Sequence, residues 1–568
     1  MMAIMTPTLR FSDVPALGNQ SLLEGALDLI ADSIVSGGDH AGVDWSVPAE
    51  AVHRLSTEGE HGQAGALALA ALKHHMTDVD LLKSARSAFT RLGAVSLSAA
   101  ATSALGTIAP TPDVTRQLDE LLGRIEETSL DWRPAVAAPS EHLLPFSDKR
   151  VLHILKLSLP QRQSGYTVRS RYILEAQRRV GLDPFAVTAL GFAASADAEG
   201  TRAPEDVNGI PHFRLDLGAD TPAPSARDYL AAYASAAAEV VKAVRPAVIH
   251  AHSGHRGYES ALVALALGRA FDLPVVYEVR GFFEATWTSD VRWAERGELF
   301  ERRTRTEESC FGEAAAVVTL SEGMRAEIHA RGVPAEKIFI VPNGVDMDAF
   351  APAPRNKALA EQLGTDSAFT FGYVSNLDHP REGHELLIKA VVRLAQEGIE
   401  SRCLIVGDGK RRDLLESLAR SAGVEDQVIF TGKVPHEEVL DYYGLLDAFV
   451  IPRMPERAAR LVTPLKPFEA MALGIPVVVS GLEALNEIIG HGSRGYAFTP
   501  TDVSSLAAVL AKIANGPEES RALAANARTW VGAERNWFSY GDLYSTIYRE
   551  AIRAHQGAQM TAELHPRT

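Results

Sequence analysis

From Arg150 onward the chain alternates short apolar runs with amphipathic helical stretches, and this constrains its fold more than any other feature of the 568 residues. VLHILKL (151–157), FAVTAL, AVIHAH, PVVYEV and AAVVTL are near-continuous apolar runs, the pattern of strands buried on both faces. Helical stretches such as RYILEAQRRVG and YESALVALALGRAF separate them. Strand–helix–strand repeats of this kind form parallel βαβ units. KIFIVPNGVD closes one set; a second begins at FTFGYVSNLD and continues through CLIVGDG, QVIFTGKV, AFVIPRM and PVVVS. Two sets predict two doubly wound α/β domains, with ligands expected outside the carboxyl ends of the strands.

The texture before Arg150 is different. Residues 1–18 show no periodic pattern and are expected to be disordered. Residues 19–149 read as Ala- and Leu-rich helices followed by a proline-containing linker, Asp131–Lys149. GQAGALALAALKHHMTDVDLLKSA and GAVSLSAAATSALGTIAPTPDVTRQLDEL resemble each other at an offset near the tetratricopeptide period, with a degenerate third copy around Val47–Leu55. A plain helical bundle fits this pattern equally well. The expected division is therefore 1–18, a helical region and linker at 19–149, α/β domains at 150–343 and 344–535, and a crossover helix and tail at 536–568.

A net charge of -16 excludes a general nucleic-acid binder, whose phosphate contacts need a basic surface. Cys310 and Cys403 lie far apart in a helical and a strand pattern, which points to a reducing compartment. No secretory signal and no apolar run of the ~18–20 residues that span a bilayer are visible. These features predict a cytoplasmic protein, with peripheral contact at the inner membrane face left open.

LVTPLKPFEAMALGIPVVVSG (461–481) is the densest stretch. Thr463 suits an N-cap and Pro464 a first helical position, with Leu465, Phe468 and Ala472 at helical spacing and Gly474 as the stop. Lys466 is then a cation in the first turn, disfavoured there unless an anion is near. One reading pairs it with Glu469 at i,i+3. The other gives Lys466 a phosphate and lets Glu469 accept from sugar hydroxyls.

In order along the chain, SGYTVRS, VIHAHS, VVYEVRGFFE, TLSEGMRAEI with GVPAEKIFIVPNGVD, LIVGDG and PLKPFEAMALGIPVVVS resemble the retaining GT-B glycosyltransferases of family 4. SGYT, YEVRGF and VTPLKP suggest its bacterial surface-polysaccharide subgroup. The resemblance covers about 150–555 and leaves out 1–149. It implies two facing Rossmann-like domains, a C-terminal helix (containing Trp537) that crosses back, and a UDP- or GDP-linked nucleotide-sugar donor. The acceptor would be a glycan or a lipid- or protein-linked group, with no metal and no separate cofactor.

The resemblance places Glu469 on the ribose. Gly407, Asp408 and Val434 then lie by the nucleobase and Gly165 by the phosphates, with Tyr166 beside it. Asn376, Arg460, Thr463, Pro464 and Leu465 complete the donor set. A turn glycine is the structural alternative at Gly165. Arg453, Lys466 and Arg280 are the catalytic candidates; Arg453 and Lys466, together with Arg460, would neutralise the departing diphosphate, and Arg280 would lie on the acceptor side. Arg169, His252 and Glu284 are the acceptor-side candidates.

Three departures stand out. Leu461 replaces a glutamate, SNLDHPREGHELL replaces the usual Arg…Lys clamp and leaves Arg381 as its cation, and Arg280 replaces a histidine. A degenerate scaffold recruited through the helical region is one alternative function, and a nucleotide-sugar epimerase another. Asp346 and Asp348 have a metal–diphosphate spacing but fall in the expected hinge. Residues 293–314 read as a solvated helix face.

Overall fold

The computed structural model describes residues 46–73, 75–192, 204–216, 225–290, 292–435 and 437–564; the expectations for 1–18 and for the start of the helical region lie outside them. Five helices come first: Ser46–Thr57, His61–Leu72, Val79–Arg91, Val95–Ile108 and Pro112–Glu127. Asp78 and Thr111 accept N–H groups at the starts of the third and fifth, supplying local stop-and-start signals between Ala-rich segments. Val52, Leu72, Leu81, Leu82, Phe89 and Leu105 form their shared core. Small alanines between them allow close helix approach.

The first sheet has the order β3-β4-β2-β1-β5-β6-β7-β8. Its strands are β1 (Arg150–Leu155), β2 (Asp183–Thr188), β3 (Glu205–Val207), β4 (Ile210–Phe213), β5 (Val248–His252), β6 (Val275–Glu278), β7 (Ala316–Thr319) and β8 (Ile338–Ile340). Only β3 and β4 pair antiparallel; the other pairings are parallel. The second sheet is parallel throughout, in the order β11-β10-β9-β12-β13-β14. It comprises β9 (Phe369–Val374), β10 (Ser401–Val406), β11 (Val428–Phe430), β12 (Ala448–Ile451), β13 (Val477–Ser480) and β14 (Tyr496–Phe498). The architecture is the expected pair of doubly wound α/β domains preceded by helices.

The helix Gly541–Leu564 returns to the first domain. Trp537, Tyr540, Tyr544, Ile547, Tyr548 and Ala551 cover the sheet face made by Val151, Val248, Val276, Ala316 and Val318. Trp537 stacks on Tyr172 with ring centroids 5.6 Å apart. Asn343 Nδ2 donates across the domain boundary to the Thr463 carbonyl at 2.8 Å, and just past the hinge the Val345 N–H donates to the Arg535 carbonyl at 2.8 Å. Asp346 accepts the N–H groups of Asp348 and Ala349, so this acidic pair shapes a turn in the hinge.

Two expectations need correction. The helix of the central stretch begins at Lys466, not Pro464, because Asn343 holds the Thr463 carbonyl and Val462 keeps extended dihedrals. Thr463 therefore makes no cap, and Pro467 takes the early helical place meant for Pro464. The helix Glu298–Glu313 is not a solvated face, since Arg303, Thr306, Glu307 and Cys310 are buried on it. Burial and the neighbouring Glu284 push the Glu307 carboxyl up to about 8.

Candidate active site

The carboxyl ends of β1, β5 and β6 carry Lys156, His252 and Arg280, with the helix Gly165–Arg179 starting beside them. Ser164 caps that helix in a reciprocal box with Thr167. Gly165 is exposed, and a Cβ there would meet Leu465 of the second domain at 3.2 Å. The absence of a side chain thus lets the two domains approach at this point. Tyr166 follows, its hydroxyl accepting the Lys156 N–H at 3.1 Å and its ring lying 4.4 Å from the Arg280 guanidinium.

Arg280 donates from Nε to Glu278 at 2.7 Å, from Nη1 to the Tyr166 carbonyl and Ser170 Oγ, and from Nη2 to His252 Nδ1 at 2.6 Å. Every nitrogen of the guanidinium is engaged by protein, so the expected catalytic, acceptor-side role of Arg280 is corrected to that of a buried organiser. Arg169 is likewise buried; it joins Glu278 to the Val341 and Pro342 carbonyls and to Asn343. It is a tie to the hinge and not an acceptor contact. Burial opposes the charge of Glu278, but Arg169 and Arg280 hold its carboxyl well below the ordinary range.

His252 lies at the head of a buried relay whose tautomers follow from the partners. Arg280 fills Nδ1, so Nε2–H donates to His153 Nδ1 at 2.9 Å; His153 Nε2–H then donates to Gln177 Oε1 at 2.9 Å. Gln177 donates to the Tyr548 hydroxyl, which donates to His250 Nδ1 at 2.8 Å. Burial and the Arg280 charge push His252 down to about 3. His252, expected as an acceptor-side contact, is therefore corrected to a fixed neutral link. His153, His250 and His252 also form the one cluster of potential metal ligands among the described residues. In this relay each of their Nδ1 lone pairs is already filled, and two arginines lie alongside, so the donor set does not fit a cation.

Glu284 is buried and accepts from Arg331 at 2.6 Å; Arg457 of the second domain lies 3.3 Å away and also pairs with Glu327. Its expected acceptor role is corrected to an interdomain contact. Arg457 gave no signal in sequence because its partners are more than a hundred residues distant.

In the second domain, Glu469 Oε2 accepts from the Tyr443 hydroxyl at 2.8 Å and faces Lys466 Nζ at 3.5 Å. The local i,i+3 pair is thus present. Both contacts fall on one oxygen, and the Lys466 side chain is 38% exposed. Arg453 ends β12 and pairs with Glu382 at 3.2 Å; burial opposes its charge, but Glu382 and Tyr373 raise its pKa. Arg381 lies 3.5 Å from the other Glu382 oxygen.

Asn376 and Asp408 are exposed on adjoining strand-end loops, where Gly407 takes φ 141 against the Ser375 carbonyl. Val434 is half-buried against the second core. Arg460 does not join this group: it is exposed and paired with Glu483 at 2.5 Å, which corrects its donor-binding assignment to a surface ion pair. Leu461 and Val462 pack against the apolar core of the first domain, and Leu465 against its other cluster, so the second domain presses apolar side chains across the boundary here.

Sequence reasoning passed over Lys156. It ends the buried strand β1 as a lone cation, which was the available signal. Its amine lies over the rings of Tyr166 and Phe283 at 4.7 and 4.9 Å, and burial with the nearby Arg280 charge lowers it to about 8.

Two facing Rossmann-like domains, with cations and a carboxylate gathered at the carboxyl ends of the second sheet, define the GT-B class. Residues 164–344 match the glycosyl transferase 4-like domain family and residues 356–530 the glycosyl transferases group 1 family. The α/β part of the chain is accordingly a GT-B glycosyltransferase of the family 4 type.

Among relatives, the chain is 26% identical over 316 residues to the alpha-D-kanosaminyltransferase of Streptomyces kanamyceticus, covering 53% of this chain and 77% of that one. It is 29% identical to a GDP-mannose-dependent phosphatidylinositol monomannoside mannosyltransferase of Mycolicibacterium smegmatis, covering 40% of this chain and 61% of the relative. The sucrose-phosphate synthase of Thermosynechococcus elongatus shares the fold, with a TM-score of 0.59 at 21% identity, over 71% of this chain and all of that one. The Anabaena protein HepE, solved with UDP, does so with a TM-score of 0.53 at 17% identity, over 70% and 98%.

Proposed function

We propose that the chain is a retaining, metal-independent hexosyltransferase that moves a sugar from a UDP- or GDP-linked donor to a glycan or to a lipid- or protein-linked acceptor. One observation supports this reading above the others: Tyr443 and Lys466 both address a single oxygen of Glu469. That geometry leaves the second oxygen for a ribose hydroxyl and the Lys466 amine for a diphosphate. Departure of the nucleoside diphosphate builds charge on its terminal phosphate, and Lys466 and Arg453 supply fixed positive charge where that happens. The helix is only seven residues long, so its dipole adds little and the lysine carries this role.

Lys156, across the boundary, would face the acceptor. Same-face attack lets the leaving phosphate take the acceptor proton, so no protein base is required. Retention of configuration rests on the family resemblance. No described helix is long and apolar enough to cross a membrane, which is compatible with a cytoplasmic enzyme working at the membrane face.

Calorimetry with a panel of UDP- and GDP-sugars, followed by slow hydrolysis assays with and without EDTA, tests the reading. At least one sugar nucleotide should bind and release its diphosphate nucleotide equally in both conditions. Binding of none would remove the transferase assignment.

A further inference from the structure

Besides the pairing of Arg227, at the start of the helix Ala226–Val244, with Asp119 at 3.1 Å and Glu126 at 3.0 Å, the helical region is joined to the first domain at two places on loops that follow strand ends at the cleft. The first is Glu127, the last residue of the helix Pro112–Glu127, whose side chain is 0% exposed. Arg256 Nη2 donates to Glu127 at 3.0 Å and forms an ion pair with Glu259 at 3.1 Å, and the Arg256 N–H donates to Glu259 at 2.7 Å. Arg256 belongs to the turn after β5. Gly257 there takes φ 103, a region L side chains avoid, and its carbonyl accepts the Gly254 N–H at 2.6 Å and the Tyr277 hydroxyl at 3.0 Å. The Gly254 carbonyl in turn accepts Lys156 Nζ at 3.2 Å. One carboxylate of the helical region is therefore three contacts from the lysine at the cleft.

The second place is the segment after β6. The Ser96 N–H donates to Glu298 at 2.8 Å and the Leu299 N–H to the Gly93 carbonyl at 2.8 Å. A Cβ on Gly93 would meet the Trp287 ring at 2.9 Å, and one on Gly62 would meet Trp293 at 3.2 Å. Both tryptophans thus pack closely on glycines, and at Gly93 a side chain would clash with Trp287. The same segment carries Phe283, one of the two rings over Lys156.

We propose that the helical region is a positioning domain for the acceptor half of the cleft. Glu127, acting through Arg256, fixes the turn that seats Lys156, while the face around Gly62, Gly93 and Ser96 fixes the loop that carries Phe283. Glu127 and Arg256 are positioning residues, since neither reaches the cleft. The word acceptor rests on the transferase reading above; the positioning itself does not.

The test uses Glu127→Ala in the full chain, with three measurements: amide exchange, pH-dependent acylation of Lys156 read by mass spectrometry, and calorimetric binding of UDP and GDP. Exchange at residues 253–258 should rise at least about tenfold as the turn opens locally. The Lys156 labelling midpoint should climb from about 8 toward 10.5 as its amine becomes hydrated. Exchange across the second domain and any nucleotide affinity should stay within about twofold of wild type, a split that general destabilisation does not produce.

Unchanged exchange and an unchanged Lys156 midpoint in the folded variant overturn the proposal. Should Glu127→Ala fail to fold, Arg256→Lys, which keeps the charge and loses the fork, must give the same split. Loss of protection throughout both α/β domains in both variants also overturns it. The exchange and labelling arms need no substrate, so they decide the matter even if no sugar nucleotide binds.

Discussion

Lys466 and Arg280 stand on opposite sides of the domain boundary with the same charge, but they differ in what their N–H groups still have to offer. Arg280 is consumed by Glu278, Tyr166, Ser170 and His252, whereas Lys466 makes one 3.5 Å ion pair and is partly exposed. A half-exposed pair of this kind contributes little to folding. Lys466→Ala should therefore lower nucleotide release from the donor by about 100-fold or more while leaving the thermal midpoint within about 2 °C. Steady-state release assays beside a thermal melt measure both, and unchanged turnover would take the diphosphate away from this lysine. The sequence showed Lys466 as a cation in an unfavourable place but could not show which of its two partners it would keep, because the answer depends on Tyr443, twenty-odd residues upstream.

At the scale of elements, β1, β5 and β6 hold a layer of ionisable groups where a parallel sheet usually carries only aliphatic ones. Glu278 is depressed well below 4.5, so its contribution to stability is present above that value and is lost as pH falls toward its folded pKa. Burial lowers His153, His250 and His252 below 6.5; each is neutral when folded and protonated when unfolded, so stability falls as pH drops beneath 6.5. Both effects have the same sign. Urea unfolding of the first domain should show a loss between pH 6.5 and 5 approaching about 1.4 kcal/mol per pH unit for each histidine. A flat profile would contradict the neutral relay.

Glu278→Gln should cost about 3–5 kcal/mol, since it leaves two buried arginines without their counter-charge. Chemical denaturation checks this. These strands were legible because apolar runs and the strand–helix period are local. Their polar members were misread because the groups that bury them, Tyr544 and Tyr548, lie almost three hundred residues further on. His252 and Arg280 looked functional for a sound local reason: each stands at or just past a strand end, where ligands usually bind.

For the whole molecule, the boundary between the α/β domains is held by groups that sequence periodicity cannot register. Arg457 reaches from the second domain to Glu284 and Glu327, and Leu461, Val462 and Leu465 press on the first. The residue that replaces an expected glutamate is therefore an apolar closing contact, which explains why a hydrophobic side chain is tolerated beside a polar cleft. Arg457→Ala should shift the balance toward an open arrangement by about tenfold, or about 1.4 kcal/mol. The readout is a larger radius of gyration by X-ray scattering, with nucleotide affinity little changed. An unaltered scattering profile would show that the apolar contacts alone keep the domains together.

The helix Gly541–Leu564 has a consequence for how the protein is made. One face of the first sheet, and one oxygen of Glu278, receive their partners from residues made long after the sheet itself. During synthesis the first α/β domain must wait, with valines bare and its histidine relay open, while some two hundred residues of the second domain emerge and begin to fold. A nonsense codon just ahead of Trp537 would leave both sheets encoded, yet it would strand the earlier-made one without its cover.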